Sequence, residues 1–279
     1  MPDKQRHGQI NRDGIQSTPL ASVTVQDLLS KGRQHHGAGR LDAAEQVYRS
    51  ILATQPRHAE SLYLLGGIAF QTGRTDEAVA HIGQAISLDG QVAPYHSALG
   101  AALKELGRLD EAEAACQKAV ALAPDFAQAH FNLANALKAQ GRLGEAETAY
   151  RRAIELWPGY AKAHANLGNL LGELSRDPEA EVAYRRAIAL MPDYAEAHSN
   201  LALNLYSQRR SDEAEASCRT ALRLNPNSAQ ARCNLGLALH DQGRLDAAEA
   251  SYRQAITLKP DYAEAYSNLA ITHQSQDLP

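Results

Sequence analysis

Apolar and small residues recur along most of this chain in two alternating blocks of helical spacing. In residues 127–160 the first block reads AQAHFNLANALKAQ, with Leu133, Ala134 and Leu137 on one face. Gly141 ends it. The second block reads GEAETAYRRAIELW, with Ala146, Tyr150, Ala153 and Ile154 on one face. Pro158 closes it, because proline cannot continue a helix. One unit later, Asp177-Pro178-Glu179 gives a helix start of another form, a capping Asp followed by Pro in the first turn.

This helix pair repeats every 34 residues. Pro56, Pro124, Pro158, Pro192, Pro226 and Pro260 fall on one lattice, with Gly90 at the missing node. Seven full units follow without insertion or deletion: 25–58, 59–92, 93–126, 127–160, 161–194, 195–228 and 229–262. Residues 1–24 lie outside the lattice and are expected to be disordered or loosely attached. Residues 263–279 are expected to form an incomplete eighth unit or a C-terminal helix, from either a truncated chain or a repeat-only protein with a makeshift cap. One helix pair cannot bury its apolar face alone, whereas stacked neighbours can.

Three columns carry a family pattern. The first helix holds a small residue (Gly66, Gly100, Ala134, Gly168, Ala202, Gly236) after a leucine (Leu65, Leu99, Leu133, Leu167, Leu201, Leu235). The second helix has Ala, aromatic and Ala steps, as in Ala248, Tyr252 and Ala255. Over about nine-tenths of its length the chain resembles the tetratricopeptide repeat family. That resemblance implies an all-α, right-handed solenoid of helix-turn-helix repeats with a concave groove lined by the first helices. Close helix approach accounts for the small residues, so Gly100 and Ala112 read as scaffold.

The sixth position of each unit holds Asn132, Asn166, Asn200, Asn234 and Asn268, with Leu64 and Ala98 in earlier units. Asn is a mediocre helix former, so the column needs a reason. Its amide is both donor and acceptor, which suits a peptide backbone in the groove. A repeated interhelix or capping hydrogen bond is the other explanation. The pattern A-x-A-H-x-N-L occurs as Ala127-Gln128-Ala129-His130-Phe131-Asn132-Leu133 and again from Ala161 and Ala195. It resembles the repeat region of protein O-GlcNAc transferases and their bacterial relatives. There, an asparagine ladder holds the backbone of extended polypeptide substrates, and the resemblance implies that role for these five asparagines.

Other columns read as structure. His96, His130, His164 and His198 occupy position four, on helices too far apart to share one metal ion. Arg40, Arg74, Arg108, Arg142, Arg176, Arg210 and Arg244 occupy position sixteen. They follow helix C-termini, where positive charge is favoured, with Asp42, Asp76, Asp110, Asp212 and Asp246 two residues on to offset it. Cys116 and Cys218 take the aromatic step of the second helix, and Cys233, beside Asn234, is expected to be more exposed. No cofactor, metal or catalytic motif is expected.

Composition narrows the partner classes. Alanine is the commonest residue, and 28 Lys and Arg face 32 Asp and Glu. The balance argues against general affinity for nucleic acid or anionic membrane. The three cysteines form no disulfide framework, and no secretory or membrane-spanning segment is evident, so a cytoplasmic protein is expected.

Two functions compete. One is a non-catalytic scaffold binding extended polypeptide, with pairing through the solenoid ends open. The other is the substrate-recognition arm of a protein O-GlcNAc transferase-like enzyme whose catalytic domain is absent here. A carboxylate-clamp receptor for chaperone tails fits poorly. Asn135 and Asn166 suit it, but Phe131, Glu196 and Asn200 stand where cations would be needed.

Overall fold

The computed structural model describes residues 24–276, and the expectation for 1–24 therefore lies almost wholly outside the described residues. Thr24 is described, and it opens the first helix with a capping box to Asp27. The described residues form fifteen α-helices. The odd-numbered helices are α1 (Val25–Gly37), α3 (Ala59–Gln71), α5 (Ala93–Glu105), α7 (Ala127–Ala139), α9 (Ala161–Glu173), α11 (Ala195–Ser207), α13 (Ala229–Asp241) and α15 (Ala263–Gln276). The even-numbered helices are α2 (Leu41–Thr54), α4 (Thr75–Leu88), α6 (Leu109–Leu122), α8 (Leu143–Leu156), α10 (Asp177–Leu190), α12 (Ser211–Leu224) and α14 (Leu245–Leu258). Successive helices pack pairwise into an all-α solenoid.

Tight turns join each pair. At the end of α7, Gly141 has a φ of 79°. Its N–H donates to the Lys138 carbonyl and the Arg142 N–H to the Leu137 carbonyl, the two bonds of a Schellman motif. Ser175 and Arg209 adopt the same left-handed conformation without being glycine, at φ 57° and 62°.

Within a pair, the second helix sends a side chain, a tyrosine ring in several repeats, over the small residue of the first. A Cβ placed on Gly236 would lie 2.5 Å from the Tyr252 ring, and one on Gly100 would lie 2.3 Å from Cys116 Sγ. The small-residue column is therefore a contact requirement. Ala146, Tyr150 and Ala153 are all fully buried in the core shared with the next repeat.

Three expectations are corrected. Cys233 is fully buried against Ala231, Leu235 and Tyr252. Burial raises its thiol pKa to about 11 and those of Cys116 and Cys218 to about 12. Asp177 is not a helix cap. Arg176 is the N-cap residue of α10, and Asp177 instead accepts from Asn204 Nδ2 at 2.9 Å and Ser207 Oγ at 3.0 Å. The position-sixteen arginines do follow the C-termini of the first helices, where their N–H groups close the last turn. They are also the N-cap residues of the second helices, where the dipole opposes positive charge, so the expected dipole benefit is what is corrected. Glutamates answer six of the seven, while Arg40 donates to His35 Nδ1 at 2.9 Å. Arg142, for example, pairs with Glu145 of its own repeat at 2.6 Å and Glu113 of the preceding one at 2.7 Å. Arg176 and Arg210 repeat this arrangement with Glu147 and Glu179, and with Glu181 and Glu213. At least two of the aspartates serve another purpose: Asp110 and Asp212 accept from Gln140 and Gln242 of the next repeat.

Candidate functional site: the concave groove

A cavity of about 630 Å³ opens on the side of the solenoid lined by the first helices. Its walls include Lys138 of α7, Asn169 and Glu173 of α9, Asn200, Leu203 and Tyr206 of α11, and Gln230 of α13. Asp177 and Glu196 also line it. Lys138 pairs with Glu173 at 2.7 Å. The lining therefore carries three carboxylates and one ammonium group.

The five column asparagines do not share one environment. Asn132 and Asn234 are buried between repeats. Asn132 donates to the Ser97 carbonyl at 3.1 Å and to its hydroxyl at 2.9 Å. Asn234 does the same to Ser199, at 3.0 and 3.2 Å. Asn166 and Asn200 are half-buried and donate to Asn135 Oδ1 at 2.9 Å and Asn169 Oδ1 at 2.8 Å. Among the described residues, the Asn268 side chain, also half-buried, has only a long contact of 3.8 Å to Cys233 Sγ.

The preceding repeat chooses the partner. A serine at position five takes the amide, as Ser97 and Ser199 do. An asparagine at position nine takes it where position five has no acceptor side chain. Cys233 and Leu237 offer neither, so Asn268 is left with sulfur.

The amide hydrogens thus link successive first helices, and the opposite oxygens differ. Asn132 Oδ1 accepts from Gln128 at 3.0 Å, and Asn200 Oδ1 from Gln230 at 3.2 Å. Among the described residues, Asn166 Oδ1 and Asn234 Oδ1 have no hydrogen-bond donor from the protein.

Sequence reading of the column missed Asn135 and Asn169 as its hubs. Asn135 Oδ1 also accepts from Tyr150 at 2.6 Å, and Asn169 Oδ1 from Tyr184 at 2.9 Å. Burial raises both phenol pKa values, so the hydroxyls stay protonated donors. These bonds fix both Asn side chains and turn their Nδ2 groups away from the shared oxygens. The available signal was a second 34-residue spacing, visible in only two units.

The histidine column is structural. His96, His130, His164 and His198 each place Nε2 2.9–3.1 Å from a carbonyl six residues back, that of Gly90, Pro124, Pro158 or Pro192. A carbonyl only accepts, so Nε2 carries the proton and donates. No cluster of three or more metal-binding side chains occurs among the described residues. No described helix is long and apolar enough to cross a membrane.

Stacked helix pairs with an open cavity along the first helices define a helical-repeat protein. Sequence profiles of the tetratricopeptide repeat match residues 97–161, 132–195, 165–229 and 199–263, and a second such profile matches 35–102. The chain belongs to the tetratricopeptide repeat family, whose proteins are protein-interaction scaffolds. No curated protein sequence matches it.

Solved structures share the fold at low identity. The APC/C hetero-tetramer Cut9-Hcn1 matches with a TM-score of 0.79 and 16% identity, over 90% of this chain and 49% of that one. The chain thus spans about half the length of that relative. The Pseudomonas aeruginosa protein pilF matches with a TM-score of 0.67 and 20% identity, over 76% and 97%. YrrB, described as a TPR protein with an unusual peptide-binding site, matches with a TM-score of 0.54 and 22% identity, over 67% and 96%.

Proposed function

We propose that this chain is a non-catalytic scaffold whose concave groove holds extended polypeptide by its backbone. One observation carries the reading. The asparagine column has its amide hydrogens tied to the preceding repeat, while Asn166 and Asn234 keep an acceptor oxygen free of protein donors. Asn135 and Asn169, pinned by tyrosines, add amide donors beside it. An extended backbone presents both donors and acceptors and needs both kinds of partner. The description of YrrB as peptide-binding agrees with a groove of this use. Three unpaired, buried cysteines favour a reducing, cytoplasmic setting.

The same column supports a second reading, the substrate-selecting arm of a protein O-GlcNAc transferase-like enzyme. Both readings use one groove and differ only in the attached chemistry. The coding sequence that surrounds these residues in the parent gene separates them.

The test is binding of a neutral extended Ala-Ser-Gly peptide to the chain and to Asn166→Ala. This residue is only half-buried and donates only to a side chain, so the variant is expected to keep its helicity. Binding is expected to fall about fivefold, since a lost backbone hydrogen bond weakens the complex by roughly 1 kcal/mol. Unchanged affinity in a folded variant would remove the ladder from the mechanism.

A further inference from the structure

Position nine of the first helix changes character midway along the groove. It is Asn135 and Asn169 in the fourth and fifth repeats, and Leu203, Leu237 and Ile271 in the next three. Leu203 is 40% exposed, Ile271 is 49% exposed and Leu237 is half-buried. A single exposed leucine is ordinary on any protein surface. Three in one register, on α11, α13 and α15, with the first lining the groove cavity, make a line of apolar positions, one on each successive first helix.

Charge and spacing describe what would cover this line. Glu196 lines the cavity and has no partner among the described residues. Glu264 occupies the same column two repeats on and is also exposed. Both favour a cationic occupant. Asn234 bonds directly to Ser199 across neighbouring first helices, so these helix axes lie about 8–10 Å apart. A polyproline-II-like chain rises about 3.1 Å per residue and covers that distance in about three residues.

We propose that the C-terminal half of the groove selects an extended, cationic segment with an apolar side chain at every third position, seated on Leu203, Leu237 and Ile271. Lysine or arginine between the apolar residues answers Glu196 and Glu264. The proposal rests on the reading of this groove as a peptide site and adds side-chain selection to its backbone contacts.

The experiment compares three peptides of equal length by fluorescence anisotropy. One is built of Leu-Lys-Ser triplets, the second is the same composition with irregular leucine spacing, and the third is the neutral Ala-Ser-Gly peptide. The triplet peptide is expected to bind about tenfold more tightly than its scrambled form, the difference arising from leucine burial. Leu203→Asn and Ile271→Asn introduce the residue that this column already holds at Asn135 and Asn169, at exposed sites. Each is expected to abolish the preference for the triplet peptide over its scrambled form, and circular dichroism checks that each variant keeps its helicity. Equal binding of triplet and scrambled peptides, with Ala-Ser-Gly bound, would overturn the selection and leave the groove reading standing. Failure of all three peptides to bind would overturn both.

Discussion

Asn234 donates its side-chain amide to the main-chain oxygen of Ser199 at 3.0 Å, and three repeats earlier Asn132 makes the same bond to Ser97 at 3.1 Å. Each bond joins the first helices of adjacent repeats inside a buried boundary. Solenoid stability is a sum of repeat and nearest-neighbour terms, so such bonds contribute to the interface part. Asn234→Ala is expected to destabilise by about 1–2 kcal/mol, because it removes a buried bond and leaves the serine without its donor. Asn268→Ala, which gives up only a 3.8 Å contact to sulfur, is expected to cost less than about 0.5 kcal/mol. Urea melts of both variants check the order. Equal losses would mean that the amide bonds are not what distinguishes the two sites.

Two glycines separate packing from propensity. Gly236 lies under the Tyr252 ring with no room for a methyl group, whereas a Cβ at Gly83, inside α4, would meet nothing within 4 Å. Gly236→Ala is expected to destabilise by about 1–3 kcal/mol through overpacking. Gly83→Ala is expected to stabilise by about 0.5–1 kcal/mol through helix propensity. Thermal melts should move in opposite directions.

The turns after α9 and α11 hold Ser175 and Arg209 in a backbone region that most turns here fill with glycine. Arg209 has an ion pair to Asp241, but its side chain is 80% exposed, so the pair contributes little. Ser175→Gly and Arg209→Gly are each expected to raise stability by about 0.5–1 kcal/mol by relieving left-handed strain. A lowered melting temperature for Ser175→Gly would show that the turn carries no such strain.

Glu181 sits between Arg210 at 2.5 Å and Arg185 at 2.8 Å. Burial alone would raise its carboxyl pKa, but the guanidinium groups outweigh burial and hold it below the usual value. The folded pKa therefore lies below the unfolded one. Its stabilisation is complete above about pH 5 and is lost as pH falls through the folded pKa. Glu181→Gln is expected to lower stability by about 1 kcal/mol at pH 7. The gap from wild type should narrow as pH falls through the folded pKa. Urea melts at about pH 7 and through the acid range test this, and a gap that does not narrow in acid would exclude the ion pair as its source.

The 34-residue period, the helix pairs and the Gly141 turn were legible in the sequence because they depend on neighbours within one unit. The small-residue column was legible for the same reason: Gly236 and Tyr252 belong to one helix pair. The asparagine column was visible too, but its chemistry was not. Whether an amide meets a serine, another asparagine or a thiol depends on residues 31 or 35 positions earlier. Those residues are brought together by the angle at which one repeat stacks on the next. That angle also buried Cys233 and brought Glu113 to Arg142 across 29 positions. Local periodicity determines what each repeat is; the stacking of repeats decides which polar groups face each other and which remain open to the groove.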